Sequence, residues 1–172
     1  MDFTDIIVSR RSIRKYSGKE VSDGQLIKLI KSGMYAPSTM NKQPWYFIIL
    51  RDHDVFKEII EVHPHSKMLK EASAAILVCR DKNKEHLPEY GTQDCAACTQ
   101  NILLAAHSSG LGAVWLGIYP RKERITKIIS LLNIPSGIEP FSLISVGYPG
   151  EEKDLPDRFH LDRIFFNKWG EK

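Results

Sequence analysis

The stretch Asp94–Pro120, DCAACTQNILLAAHSSGLGAVWLGIYP, carries most of the information about the fold. Its first half is alanine-rich, starts at an aspartate and closes at Gly110, which predicts a helix with a glycine stop. Its second half, GAVWLGI (112–118), is a short apolar run with the composition of a buried strand. Three more runs read as strands on the same grounds: WYFIIL (45–50), AAILVC (74–79) and FSLISVGY (141–148).

The remaining apolar residues follow helical spacing. Phe3, Ile6 and Ile7 predict a short N-terminal helix capped by Asp2 or Thr4. In SDGQLIKLIKSGMYA (22–36), Ser22 and Gln25 have capping-box spacing, and Leu26, Ile27, Leu29, Ile30 and Met34 form an apolar stripe. Pro37 ends it. DVFKEIIEV (54–62) and HSKMLKEA (65–72) read as short helices and RKERITKIISLLNI (121–134) as an amphipathic one. Arg80–Gln93 is charged, contains Pro88 and Gly91, and is expected to be a surface loop. The connection between WYFIIL and AAILVC permits parallel or antiparallel pairing. Periodicity alone gives a mixed α and β chain, one domain over residues 1–172.

Composition narrows the function classes. The chain has 172 residues, 42% hydrophobic and 26% charged, with a net charge of +3. That suits one globular domain with a proper core. The charge is too small to suggest nucleic acid on its own. No apolar run reaches the ~20 residues of a membrane helix, and the N-terminus lacks the layout of a secretion signal. Three cysteines argue against a disulfide framework, which makes a reducing cytoplasm the expected compartment.

Several constellations could carry chemistry. RRSIRKY (10–16) places Arg10, Arg11, Arg14 and Lys15 around Ser12. Guanidinium forks match phosphate oxygens, yet the same residues suit a solvated basic helix end. PSTMNKQPW (37–45) offers hydroxyls and amides that bind polar ligands and also make turns. Cys95 and Cys98 form a C-x-x-C pair, but their place inside a helix favours a packing role, and no second ligand pair completes a zinc site. The histidines are scattered. GLGAVWLG is glycine-rich, but its first glycine follows a helix rather than a strand, so it is not a dinucleotide fingerprint. Pro149–Lys172 is polar until RIFFNKW (163–169), whose apolar cluster requires a cover from this chain or a partner.

Taken in order, SRRSIRKYSGKEVS, APSTMNKQPWYFIIL, the Asp94–Pro120 block and SVGYPGEEKDLPDRF resemble the FMN-dependent nitroreductase family, in its compact form, over nearly the whole chain. The resemblance implies an α+β sandwich, a mostly antiparallel central sheet flanked by helices, in an intertwined homodimer. Residues 149–172 would be a C-terminal arm crossing to the partner. FMN would sit at the interface. Arg10, Arg11, Ser12 and Arg14 match the N-terminal FMN block: Arg10 and Ser12 on the phosphate, Arg14 toward the pyrimidine. Pro37, Ser38, Thr39 and Asn41 match the loop that reaches the other subunit's flavin. Leu116 and Gly117 match the strand end whose N–H faces flavin N5, and Arg158 a phosphate-binding arginine. Larger members offer an Asn and a Lys to the flavin pyrimidine from a central segment that is shortened here to HSKMLKEASA, in which Lys67 or Lys70 would be the substitute.

The implied activity is NAD(P)H oxidation by a ping-pong mechanism, through flavin N5, to nitroaromatics, quinones or similar flat acceptors. No catalytic side chain and no metal are expected, because the flavin carries the chemistry. Neither nucleic acid nor a membrane is expected as a partner. Rival readings are an FMN-binding module without turnover, a reductive dehalogenase-like or flavin-destroying member of the same superfamily, and, far behind, a nucleic-acid binder.

Overall fold

A computed structural model describes residues 2–171. Its elements are α1 (Phe3–Ser9), α2 (Asp23–Met34), β1 (Trp45–Leu50), α3 (His53–Val62), β2 (Ala74–Asp81), α4 (Pro88–Ser108), β3 (Gly112–Gly117), α5 (Lys122–Leu132) and β4 (Ile138–Gly147). The four strands form one antiparallel sheet in the order β1-β2-β4-β3. The fold is α+β, as the resemblance implies. The undecided pairing of β1 with β2 is antiparallel, Trp45 opposite Arg80 and Leu50 opposite Ala75.

Alternation along the strands divides the core. Ala74, Ile76 and Val78 of β2 face one way and pack with Leu26 and Leu29 of α2 and Cys95, Cys98, Ile102 and Ala106 of α4. Ala75, Leu77 and Cys79 face the other way, toward Phe56 and Ile59 of α3 and Ile128 of α5. Helices therefore cover both faces, and every residue of β2 is buried. A central antiparallel strand covered on both sides loses the polar alternation of a half-exposed one. That is why AAILVC reads as a continuous apolar run.

The caps are where the sequence places them. Ser22 and Gln25 form the capping box of α2, and Asp2 caps α1. Two expectations need correction. Arg80–Gln93 is not one surface loop: β2 runs to Asp81, α4 begins at Pro88, and only residues 82–87 lie between them. Pro88 opens the helix, because the first helical position needs no N–H donor and favours the fixed φ of proline. Arg80 is buried, paired with Glu139 at 2.7 Å and Glu85 at 3.3 Å. Gly91 lies inside the helix, where a Cβ would collide with the Glu85 side chain. Within HSKMLKEA only Lys67–Lys70 form a 3-10 turn, which buries Met68 and Leu69.

The C-terminal arm differs from the rest. Beyond Pro149, among the described residues, it contains only a 3-10 turn at Leu161–Arg163. Phe159, Leu161, Phe166 and Trp169 stay exposed, Trp169 at 90%. This chain does not cover its own apolar tail.

Candidate functional site

The N-terminal basic block leaves α1 and lies against the free edge of β3. Ser12 bridges Ala113 in a parallel sense, with the Ile13 N–H donating to the Ala113 carbonyl at 3.1 Å. The chain then peels away. The Arg14 and Lys15 N–H groups donate to Glu151 Oε1 at 2.6 and 3.2 Å. Tyr16 pairs with Pro149, and its hydroxyl bonds Ser145 Oγ at 2.8 Å. The block is thereby fixed between the sheet edge and the start of the arm.

Strand parity decides what this edge exposes. Backbone groups two residues apart in a strand point the same way. Ala113 faces outward, toward Ile13, and the β3–β4 register has no bulge. Trp115 and Gly117 therefore also turn their N–H and C=O groups to the free edge, whereas Leu116 turns its toward β4. The Leu116 side chain is buried, and the space over Gly117 is empty. Ser12 and Gly117 are thus served by one strand, with Gly117 about 13 Å along it from Ala113 at 3.3 Å per residue.

Charge accumulates at the Ser12 end. Burial, then the charges of Arg158 and Arg11, holds Arg10 below the ordinary arginine range. Arg158, from the arm, is therefore brought up beside the N-terminal block. Nε and Nη1 of Arg11 are buried without a hydrogen-bond partner. No carboxylate forms an ion pair with Arg10, Arg11, Arg14 or Arg158 among the described residues. Like charges gathered in a partly buried place, with orphaned donors, fit an anion with several oxygens. His107, near the end of α4, joins them: its Nε2 lies 2.8 Å from Ser9 Oγ, and burial, then Arg10, pushes its pKa down. Spacing gives no sign of His107, because its contact spans 98 residues.

The polar loop lies elsewhere. The Thr39 N–H and hydroxyl donate to Asp94 Oδ1 at 3.0 and 3.3 Å, and the Gln43 N–H donates to Ser38 Oγ at 3.0 Å. Met40, Asn41 and Gln43 have φ of 51°, 55° and 48°. Non-glycine residues seldom occupy this left-handed region, so the loop is held in a shape its residues do not favour. Pro37 and Asn41 are exposed. Asp94 and His107 stand about 20 Å apart along α4 at 1.5 Å per residue. Within one chain, the loop and the arginine cluster do not meet.

Lys67 and Lys70 are exposed on their turn. Lys70 lines a cleft of about 630 Å³ with Tyr16, Ser17, Arg51 and His53. Cys95 and Cys98 are buried free thiols in α4, and burial pushes both pKa values up, which disfavours the reactive thiolate. No helix is long and apolar enough to cross a membrane among the described residues.

The chain matches the model of the Nitroreductase family over residues 7–62 and 56–148. It is 48% identical to the "Putative NADH dehydrogenase/NAD(P)H nitroreductase" of Archaeoglobus fulgidus, over 95% of this chain and 97% of the relative. A protein of the same name from Parabacteroides distasonis, solved by crystallography, superposes with a TM-score of 0.92 at 39% identity, covering 97% of this chain and 98% of the other. A crystal structure of a "putative nitroreductase in complex with fmn" from Desulfovibrio desulfuricans superposes at 0.84 with 29% identity, covering 98% and 97%.

Proposed function

The chain belongs to the nitroreductase family, and from that premise we propose that it is an FMN-dependent NAD(P)H oxidoreductase acting on flat electron acceptors such as nitroaromatics and quinones. The observation that carries the reading is the layout of β3. At one end of its free edge stands an unpaired arginine cluster, and at the other the open backbone of Gly117. An elongated ligand with a phosphate at one end fits this layout.

In this reading Arg10, Arg11, Ser12 and Arg158 hold the FMN phosphate and Arg14 lies toward the pyrimidine. Bound FMN would supply the two-electron hydride chemistry. The Gly117 N–H orients the N5 edge of the ring, with Leu116 setting the strand. Its glycine leaves room for a planar ring to lie against the backbone. NAD(P)H and the acceptor use the same space in turn, the ping-pong order. No side chain here needs to act as a general acid.

The reading includes a homodimer. Two observations support it: the loop Pro37–Asn41 lies far from the arginine cluster of its own chain, and the arm after Pro149 leaves large apolar residues uncovered. Ser38, Thr39 and Asn41 would complete the partner's flavin site. We read residues 1–172 as one domain. The unpaired, buried thiols support a reducing cytoplasm.

The test is the purified protein's absorbance. It should be yellow, with roughly one FMN per subunit, bleach on adding NADH or NADPH, and regain colour with menadione. A colourless protein that ignores added FMN sinks the reading. A yellow protein that neither bleaches nor turns over is an FMN-binding module instead.

A further inference from the structure

At the far end of β3, Arg124 occupies an unusual position. It belongs to the first turn of α5, on the face of the sheet that also carries α3. Its Nη1 donates to the Gly117 carbonyl at 2.6 Å and lies 3.1 Å from His63 Nε2. A guanidinium only donates, so the imidazole accepts through Nε2 and carries its proton on Nδ1. His63 is only 2% exposed. Burial first, then the Arg124 charge, with a smaller contribution from His65, pushes its pKa down, so the ring stays neutral.

Two other arginines outside the N-terminal cluster have carboxylate partners. Arg51 pairs with Asp23 and Glu20, and Arg80 with Glu85 and Glu139. Arg124 has no carboxylate partner among the described residues. A neutral imidazole and a carbonyl orient its fork without cancelling its charge. The carbonyl it holds lies on the free edge, because Gly117 faces the same way as Ala113. The cation and the open Gly117 N–H thus share one edge.

We propose that Arg124 is a positioning residue for the flavin reaction: it fixes the Gly117 peptide and keeps an uncancelled positive charge beside the flavin ring. The inference rests on the flavin reading given above. A fixed cation there favours the form of the ring that carries more negative charge. It therefore affects the reduction potential more than the affinity for oxidised FMN, whose phosphate is held at the other end of the strand.

The experiment compares wild type, Arg124→Gln, Arg124→Lys and the control Lys127→Gln, which lies on the same helix but pairs with Glu58. In FMN-loaded protein, Arg124→Gln should bind oxidised FMN within about threefold of wild type. It should lose about tenfold in preference for reduced over oxidised FMN, or about 30 mV for a two-electron couple. Arg124→Lys should retain most of that preference, and Lys127→Gln all of it. In FMN-free protein, the hydrogen-bonded Ile118 and Tyr119 amides of Arg124→Gln should exchange about tenfold faster. Wild-type potential and wild-type exchange in Arg124→Gln would overturn the proposal. If wild type takes up no FMN, the flavin reading fails, while the exchange measurement still tests whether Arg124 holds Gly117.

Discussion

The two ends of α4 treat charge in opposite ways. Near its start, Asp94 is buried and its Oδ1 accepts two hydrogen bonds from Thr39. Near its end, His107 lies beside Arg10, which is crowded by Arg11 and Arg158 with no acid opposite them. The positive end suits the helix dipole, whereas Asp94, the seventh residue of the helix, lies beyond the dipole's main reach. The two ends differ in how far the chain satisfies them. The first end is a clamp made within the chain through Oδ1, with Oδ2 buried and unpartnered, and it shapes a loop. The second has cations and donors in excess of acceptors, which is the state of a site awaiting an anion. In the proposed reading, one helix thus separates a structural use of charge from a recognition use.

This contrast can be broken by substitution. Arg10→Ala should weaken FMN binding by about 1.5–3 kcal/mol, the range for a hydrogen bond to a charged group, measured by quenching of FMN fluorescence. Its urea midpoint without FMN should not fall, because the change removes a repelled charge. Asp94→Ala should do the reverse and cost about 1–3 kcal/mol of folding stability, since the Thr39 donors lose their acceptor; urea unfolding reads it directly. Equal losses of stability from both changes would erase the distinction.

Salt should separate the two ends less sharply. Raising ionic strength toward 1 M, where the screening length is about 3 Å, should weaken FMN binding severalfold and leave the urea midpoint much less changed. The smallest effect concerns His107. Its folded pKa lies below the ordinary value, so its contribution to stability is present at higher pH. That contribution fades as pH falls below about 6.5, where the unfolded chain takes up the proton first. His107→Gln should flatten that part of the stability curve, and bound FMN should raise the histidine's NMR titration midpoint by supplying an anion.

Much of the fold is legible in the sequence, for identifiable reasons. The four strands are short β-branched or aromatic runs, and the capping box at Ser22 marks its helix unaided. Pro88 misleads because proline breaks most helices and opens some; its place at the first helical position is a signal that spacing analysis can use. Strand pairing is not written in periodicity, so the antiparallel sheet needed the resemblance. Arg10, Arg11 and Ser12 are legible as a basic cluster, but their isolation from any acid is not, since it depends on what folding brings near. His107 and His63 are invisible beforehand because their contacts cross 98 and 61 residues, and Arg124, only seven residues from the Gly117 carbonyl it holds, because no periodicity marks a side chain that folds back onto a strand end.

The open edge of β3 has a consequence for how this protein tolerates change. Its outward-facing groups at residues 115 and 117 belong to the main chain, and every amino acid except proline supplies the same N–H. Side chains on the strand are therefore at liberty to drift with the core they pack against, while the pattern of donors persists. The two glycines at its ends escape this freedom: at Gly117 the absence of a side chain keeps the surface open, and at Gly112 a Cβ would collide with Ile13. Across distant relatives, this edge should be preserved as a shape long after its letters have diverged.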